Sequence, residues 1–221
     1  MARIKKGILG GVSGKVGNVV GGNWKGVDYL RSLPTEVRNA NSVLQHAQRA
    51  KFRVLIAFLR PMKELIRIGF KPDASRITAF NAATSYNYHH ALVGDYETGF
   101  EVAFSEARLA LGELEQIIGL TAESTEPATL SLGWTDNSAA AGAASTDILY
   151  VAVYNPLKNH AVVRINAAER NDASVSLALP ANYSGDTVHV YTGFVAAKVL
   201  IGAAARESVS ESVYAGAILI A

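Results

Sequence analysis

Between residues 114 and 221 the chain repeats one pattern, short runs of alternating apolar and polar residues closed by Asn, Asp, Gly, Ser or Pro. The runs are LEQIIGL, TLSLGW, DILYVAVYN, AVVRINA, SVSLALP, TVHVYTGFVAA and SVYAGAILI. Successive side chains of a strand point to opposite faces, so period-two alternation gives each run one face for a core and one for water. About seven such strands at regular intervals predict an antiparallel sandwich or barrel.

Upstream the period changes. Leu44, Ala47, Val54, Leu55, Phe58, Met62, Leu65 and Ile66 recur at helical spacing from a capping Ser42, with Pro61 marking a kink or break. The opposite face of this helix carries Gln45, Gln48, Arg49, Lys51, Arg53, Arg60, Lys63 and Arg67, which makes it amphipathic and basic. A second helix is predicted over residues 76–91, with Ile77, Phe80, Ala83, Tyr86 or Asn87, and His90 as its stripe. FEVAFSEARLAL suggests a short pair of strands near 100–111.

The chain opens differently again. Residues 7–26 hold eight of the 19 glycines, too many for a stable helix. A phosphate loop is excluded, because Val16 follows Lys15 and Leu9 stands where the first glycine would be. A dinucleotide fingerprint is excluded because no two glycines there are spaced by two, and the triplet Gly11, Gly14, Gly17 is too short for collagen. The segment reads as a hairpin with strands near 15–20 and 23–31 turning at Gly21-Gly22, a pair that tolerates positive φ. Continuous alternation along the second strand would set Trp24, Gly26, Asp28 and Leu30 on one face and Lys25, Val27, Tyr29 and Arg31 on the other. A two-stranded hairpin is marginal alone, so it needs a second layer from this chain or another copy.

An apolar share of 49% in 221 residues is enough to bury a sizeable core. The formal charge of +2 hides a polarity: residues 1–76 carry 15 Lys and Arg against 4 Asp and Glu, while residues 77–221 carry 6 against 15. Such asymmetry suits an anionic partner or attraction between copies. With no cysteine, disulfides and thiolate sites are excluded. No run reaches the length of a membrane span, and the basic start MARIKK leads into no sustained apolar stretch, so no signal peptide is evident and the expected location on synthesis is cytoplasmic.

No catalytic constellation emerges. His46, His89, His90, His160 and His189 lack metal-ligand spacing, GVSGK lacks the spacing of a nucleophile elbow, and the carboxylates are scattered. The chain is therefore expected to be non-enzymatic, without metal or cofactor. The residues singled out as an interface for assembly or an anionic partner are Lys15, Gly21, Gly22, Trp24, Lys25, Tyr29, Arg31, Arg49 and Arg53.

GKVGNVVGGNWKGVDYLRSLP followed by RNANSVLQHAQRAKF resembles an uncharacterised Bacteroidetes family. The matching residues are Gly14, Lys15, Gly17, Val20, Trp24, Lys25, Gly26, Arg31, Ser32, Pro34, Arg38, Asn39, Gln45, Gln48, Arg49 and Phe52. Ala40 and Ser42 stand where members usually have proline and threonine, and the resemblance implies no chemistry. From about residue 114 onward the pattern resembles a fibronectin type III or immunoglobulin-like sandwich: Trp134 on an early strand, then TDN, and later LALPANYSGDTVHVYTGF as strand, turn and strand. The expected architecture is thus α+β, with a basic assembly region over 1–112 and an immunoglobulin-like sandwich over 113–221. The expected function is that of a structural protein assembling head-to-tail with copies of itself, in a filament, virion or surface fibre. Nucleic-acid binding through the basic region, and ligand or carbohydrate binding through the sandwich loops, stand as alternatives.

Overall fold

In the first part of the chain, glycine-bearing segments pair into a four-stranded antiparallel sheet: β1 (Arg3–Ile4), β2 (Val12–Val16), β3 (Val19–Trp24) and β4 (Val27–Ser32), in that spatial order. This computed structural model describes residues 3–4, 10–24, 26–34, 36, 41–71, 77–197 and 208–221. The chain divides into two units, Met1–Gln45 and His46–Ala221.

The first sheet corrects the expected turn. Gly21 and Gly22 lie in the middle of β3, and the reversals fall between Val16 and Val19 and between Trp24 and Val27, pairs that face each other. Gly17 at φ 55° and Gly26 at φ 85° supply the left-handed conformation these tight loops need. Two loops pair β3 on both sides, whereas a turn at Gly21-Gly22 would leave a single ladder. The glycine pair serves close approach instead. A Cβ on Gly21 would collide with the Val12 carbonyl, and one on Gly22 would lie 2.8 Å from the Tyr29 ring.

Ser42 caps α1 (Val43–Leu59), its Oγ accepting the Gln45 N–H at 3.3 Å. Pro61 ends it as expected, in a 3-10 turn over Arg60–Met62 that leads into α2 (Lys63–Gly69). The second predicted helix is α3 (Ala79–His90), capped by Thr78, whose Oγ1 accepts the Asn81 N–H at 3.1 Å. A hairpin of β5 (Leu92–Asp95) and β6 (Gly99–Val102) follows. It replaces the strand pair expected near 100–111: residues 103–111 run without strand pairing, tied down by Asn87, which donates to the Arg108 carbonyl and accepts its N–H, both at 2.8 Å. No helix among the described residues is long and apolar enough to cross a membrane.

Seven strands then form two sheets. They are β7 (Ile118–Glu123), β8 (Thr129–Thr135), β9 (Ile148–Asn155), β10 (His160–Arg164), β11 (Ser174–Ala178), β12 (Thr187–Val195) and β13 (Val213–Leu219). One sheet has the order β11-β8-β7, the other β10-β9-β12-β13, and every pairing is antiparallel. The inner faces meet through Leu130, Leu132, Trp134, Leu149, Val151, Val153, Val188, Val190 and Phe194. The outer face of the four-stranded sheet offers Tyr150, Ala152, Tyr154, Tyr191 and Val195 to Leu55, Phe58, Leu59, Met62, Leu65 and Ile66 from the helices.

This second layer explains why all eight residues of β9 are buried. It also places residues 46–112 differently from the expected boundary at 112/113: the helices and the β5–β6 hairpin bury their apolar sides on the sandwich, with Leu92, Val102 and Leu111 packed against the same cluster. Burying one Leu or Phe side chain contributes roughly 1.5–3 kcal/mol, so this shared core strongly binds the helices to the sheet.

Candidate functional site

The register of the first sheet decides which side chains share a face. Lys15, Val20 and Arg31 form one row across β2, β3 and β4, and the neighbouring pairs Gly22 with Tyr29 and Trp24 with Val27 lie on the same side. Continuous alternation sets Trp24 on the face opposite Tyr29 and Arg31; the tight reversal between Trp24 and Val27 brings it to their side. Val16, Val19, Gly21, Asp28 and Leu30 occupy the opposite face. Asn23 fixes the reversal by donating from Nδ2 to Asp28 Oδ1 at 2.7 Å and accepting the Gly26 N–H at 3.1 Å.

Large apolar side chains remain exposed on both faces. Trp24, Val27 and Tyr29 are 53%, 67% and 47% exposed on one, and Val16, Val19 and Leu30 are 58%, 40% and 63% exposed on the other. Tyr29 leans over Gly22, which has no side chain to hold it off. The structure therefore gathers Lys15, Gly22, Trp24, Tyr29 and Arg31, and places Gly21 on the reverse side. Lys25 lies outside the described residues. Arg49 and Arg53 are exposed one turn apart on α1 and belong to the second unit.

The second unit holds polar groups that sequence reasoning passed over. Arg170 is fully buried: its Nε donates to Asp147 Oδ2 at 3.1 Å, Nη1 to Asn137 Oδ1 at 2.6 Å and Nη2 to the Glu115 carbonyl at 3.0 Å. Its guanidinium also lies 3.9 Å from the Phe194 ring centroid. Nothing in the spacing of one Arg and one Asp, 23 residues apart in loops, announces this pair. His189 stacks on Phe104 with ring centroids 3.8 Å apart and meets the Tyr214 hydroxyl through Nδ1 at 2.8 Å. Burial holds its imidazole pKa below the ordinary value.

These groups have internal partners and read as structure. The surface hollows are open ones, including about 600 Å³ beside β10, lined by Glu64, His160, Arg164 and Pro180, and about 390 Å³ between Phe58, Phe100 and Tyr154. Neither joins a nucleophile to a base. Among the described residues no three His, Cys, Asp or Glu side chains group as metal ligands do.

The strand order defines the class: a sandwich of the fibronectin type III or immunoglobulin-like kind, three strands against four, preceded in the chain by a small antiparallel sheet. The chain belongs to the family of unknown function DUF6266, whose model matches residues 11–216. Among solved structures, the chain is similar to the fn3 domain of human collagen alpha-1(XX) chain, at 15% identity and a TM-score of 0.33, over 49% of this chain and 86% of that one. It is also similar to the fn3 domain of human contactin 1, at 10% identity and a TM-score of 0.31, over 50% of this chain and 82% of that one. No curated protein matches the chain.

Proposed function

We propose that this protein is a non-enzymatic structural subunit that associates head-to-tail with further copies of itself through its first sheet, in an assembly of filament, virion or surface-fibre type. The observation that carries this reading is a small sheet with large apolar side chains exposed on both faces. Exposed apolar patches of this kind mark interaction surfaces, and a sheet of short strands gains stability from a covering layer. The edge along β4, exposed at all six residues and unpaired among the described residues, adds backbone groups for strand pairing.

Nucleic-acid binding is the second reading, favoured by Trp24, Tyr29, Lys15 and Arg31 sharing one face, since aromatic rings stack on unpaired bases while cations meet phosphates. It accounts for one face only. Val16, Val19 and Leu30 on the reverse would still lie open to water, so self-association explains more.

Sedimentation velocity of the full chain at rising concentration tests the first reading. Heavier species are expected to grow with concentration, and a Trp24→Ser, Leu30→Ser variant, altered on both faces, is expected to shift toward monomer. A wild-type chain that stays monomeric throughout would overturn it. Saturable binding of single-stranded oligonucleotides, weakened by salt and by Trp24→Ser, in a chain that never associates would establish the second reading instead.

A further inference from the structure

The self-association reading needs an acceptor surface, and the β5–β6 hairpin has the matching chemistry. Its two strands form a sheet of their own. The pair Leu92 and Val102 turns inward onto the helical core, as Phe100 does toward Lys51, whose Nζ lies 5.1 Å from the ring centroid. The pair Val93 and Glu101 therefore faces outward, with Tyr96 and Glu97 at the tip. Val93 and Tyr96 are about half exposed, at 49% and 50%.

Residues 92–102 contain Asp95, Glu97 and Glu101 and no Lys or Arg. Asp95 is committed to the turn: its Oδ1 accepts the N–H groups of Glu97 at 2.9 Å and Thr98 at 2.8 Å and the Thr98 hydroxyl at 2.9 Å. Glu97 and Glu101 form no ion pair among the described residues, and neither do Lys15 and Arg31 on the first sheet. One surface thus offers apolar rings beside two uncommitted cations, the other apolar side chains beside two uncommitted carboxylates.

We propose that the outward face of the β5–β6 hairpin receives the Lys15, Trp24, Tyr29 and Arg31 face of a second copy, with Val93 and Tyr96 against the aromatic rings and Glu97 and Glu101 against the two cations. This rests on the self-association reading and names its other half. The two surfaces differ, so the contact is heterologous: each copy keeps one donor face and one acceptor face open, and growth continues until a ring closes. Complementary potentials across such a contact also select the partner, because like charges brought together are strongly disfavoured.

Charge reversal on the full chain tests it. The donor variant is Lys15→Glu, Arg31→Glu, and the acceptor variant is Glu97→Lys, Glu101→Lys; all four side chains are exposed, and circular dichroism checks that each variant is folded. Each variant alone is expected to need at least about tenfold more protein to reach the wild-type degree of association. Mixed in equal amounts, the two are expected to associate beyond a dimer, alternating along the assembly, because the native donor of one meets the native acceptor of the other and the two reversed faces also meet with opposite signs. All four reversals on one chain restore opposite signs and are expected to restore association. Wild-type association that the acceptor variant leaves unchanged, or a mixture that stays monomeric, overturns the hairpin as acceptor and leaves self-association standing. A wild-type chain that never associates overturns both.

Discussion

Arg170 and Asp147 bear on stability through a single buried pair. Asp147 Oδ2 accepts from the Arg170 guanidinium and from the Ala144 N–H at 2.8 Å, so one carboxylate holds both the cation and the loop before β9. Above the pair, the Trp134 indole N–H donates to the Arg170 carbonyl at 2.8 Å and closes that end of the core. Removing one partner leaves a buried charge uncompensated, which costs roughly 3–5 kcal/mol, whereas replacing both with apolar groups costs much less. Asp147→Ala is therefore expected to lower the urea midpoint sharply, and the double variant Asp147→Leu, Arg170→Met is expected to recover part of the loss. A midpoint for Asp147→Ala equal to wild type would show that the pair does not hold this end of the sandwich.

At the scale of elements, the first sheet depends on where its chain reverses and where its backbones touch. Gly21 stands opposite Gly14 on one side and Leu30 on the other, and any side chain there meets the Val12 carbonyl. Gly21→Val is expected to detach β2 from β3. Amide exchange at residues 12–16 would accelerate while the sandwich strands, which belong to the other unit, keep their protection. Unchanged protection at those amides would contradict the observed register. The reversals themselves were legible only in part. Gly-Asn at 17–18 and Gly26 carry turn chemistry in plain view, yet Gly21-Gly22 carries it equally well, and no local rule ranks them. The helices were more legible, because Ser42, Pro61 and the apolar spacing act within a turn or two of the backbone.

Across the whole molecule, charge polarity and exposed apolar surface lead to one prediction about salt. If opposite charges help copies meet, raising sodium chloride from about 0.1 M to about 1 M shortens the Debye length from about 10 Å to about 3 Å and weakens association at fixed protein concentration. Association that sedimentation shows to be indifferent to salt would assign the contact to the apolar faces alone. The strands of the sandwich and both main helices follow from sequence by itself, because alternation and helical spacing are local properties that each segment carries. Even the second layer over β9 has a trace there, since ILYVAVYN is apolar on both faces. Three things were decided only in the tertiary structure: the face on which Trp24 stands, the packing of the helices on the sandwich, and the meeting of Arg170 with Asp147. Each depends on register or on contacts between residues far apart in the chain, and a one-residue change of register exchanges every side chain between faces.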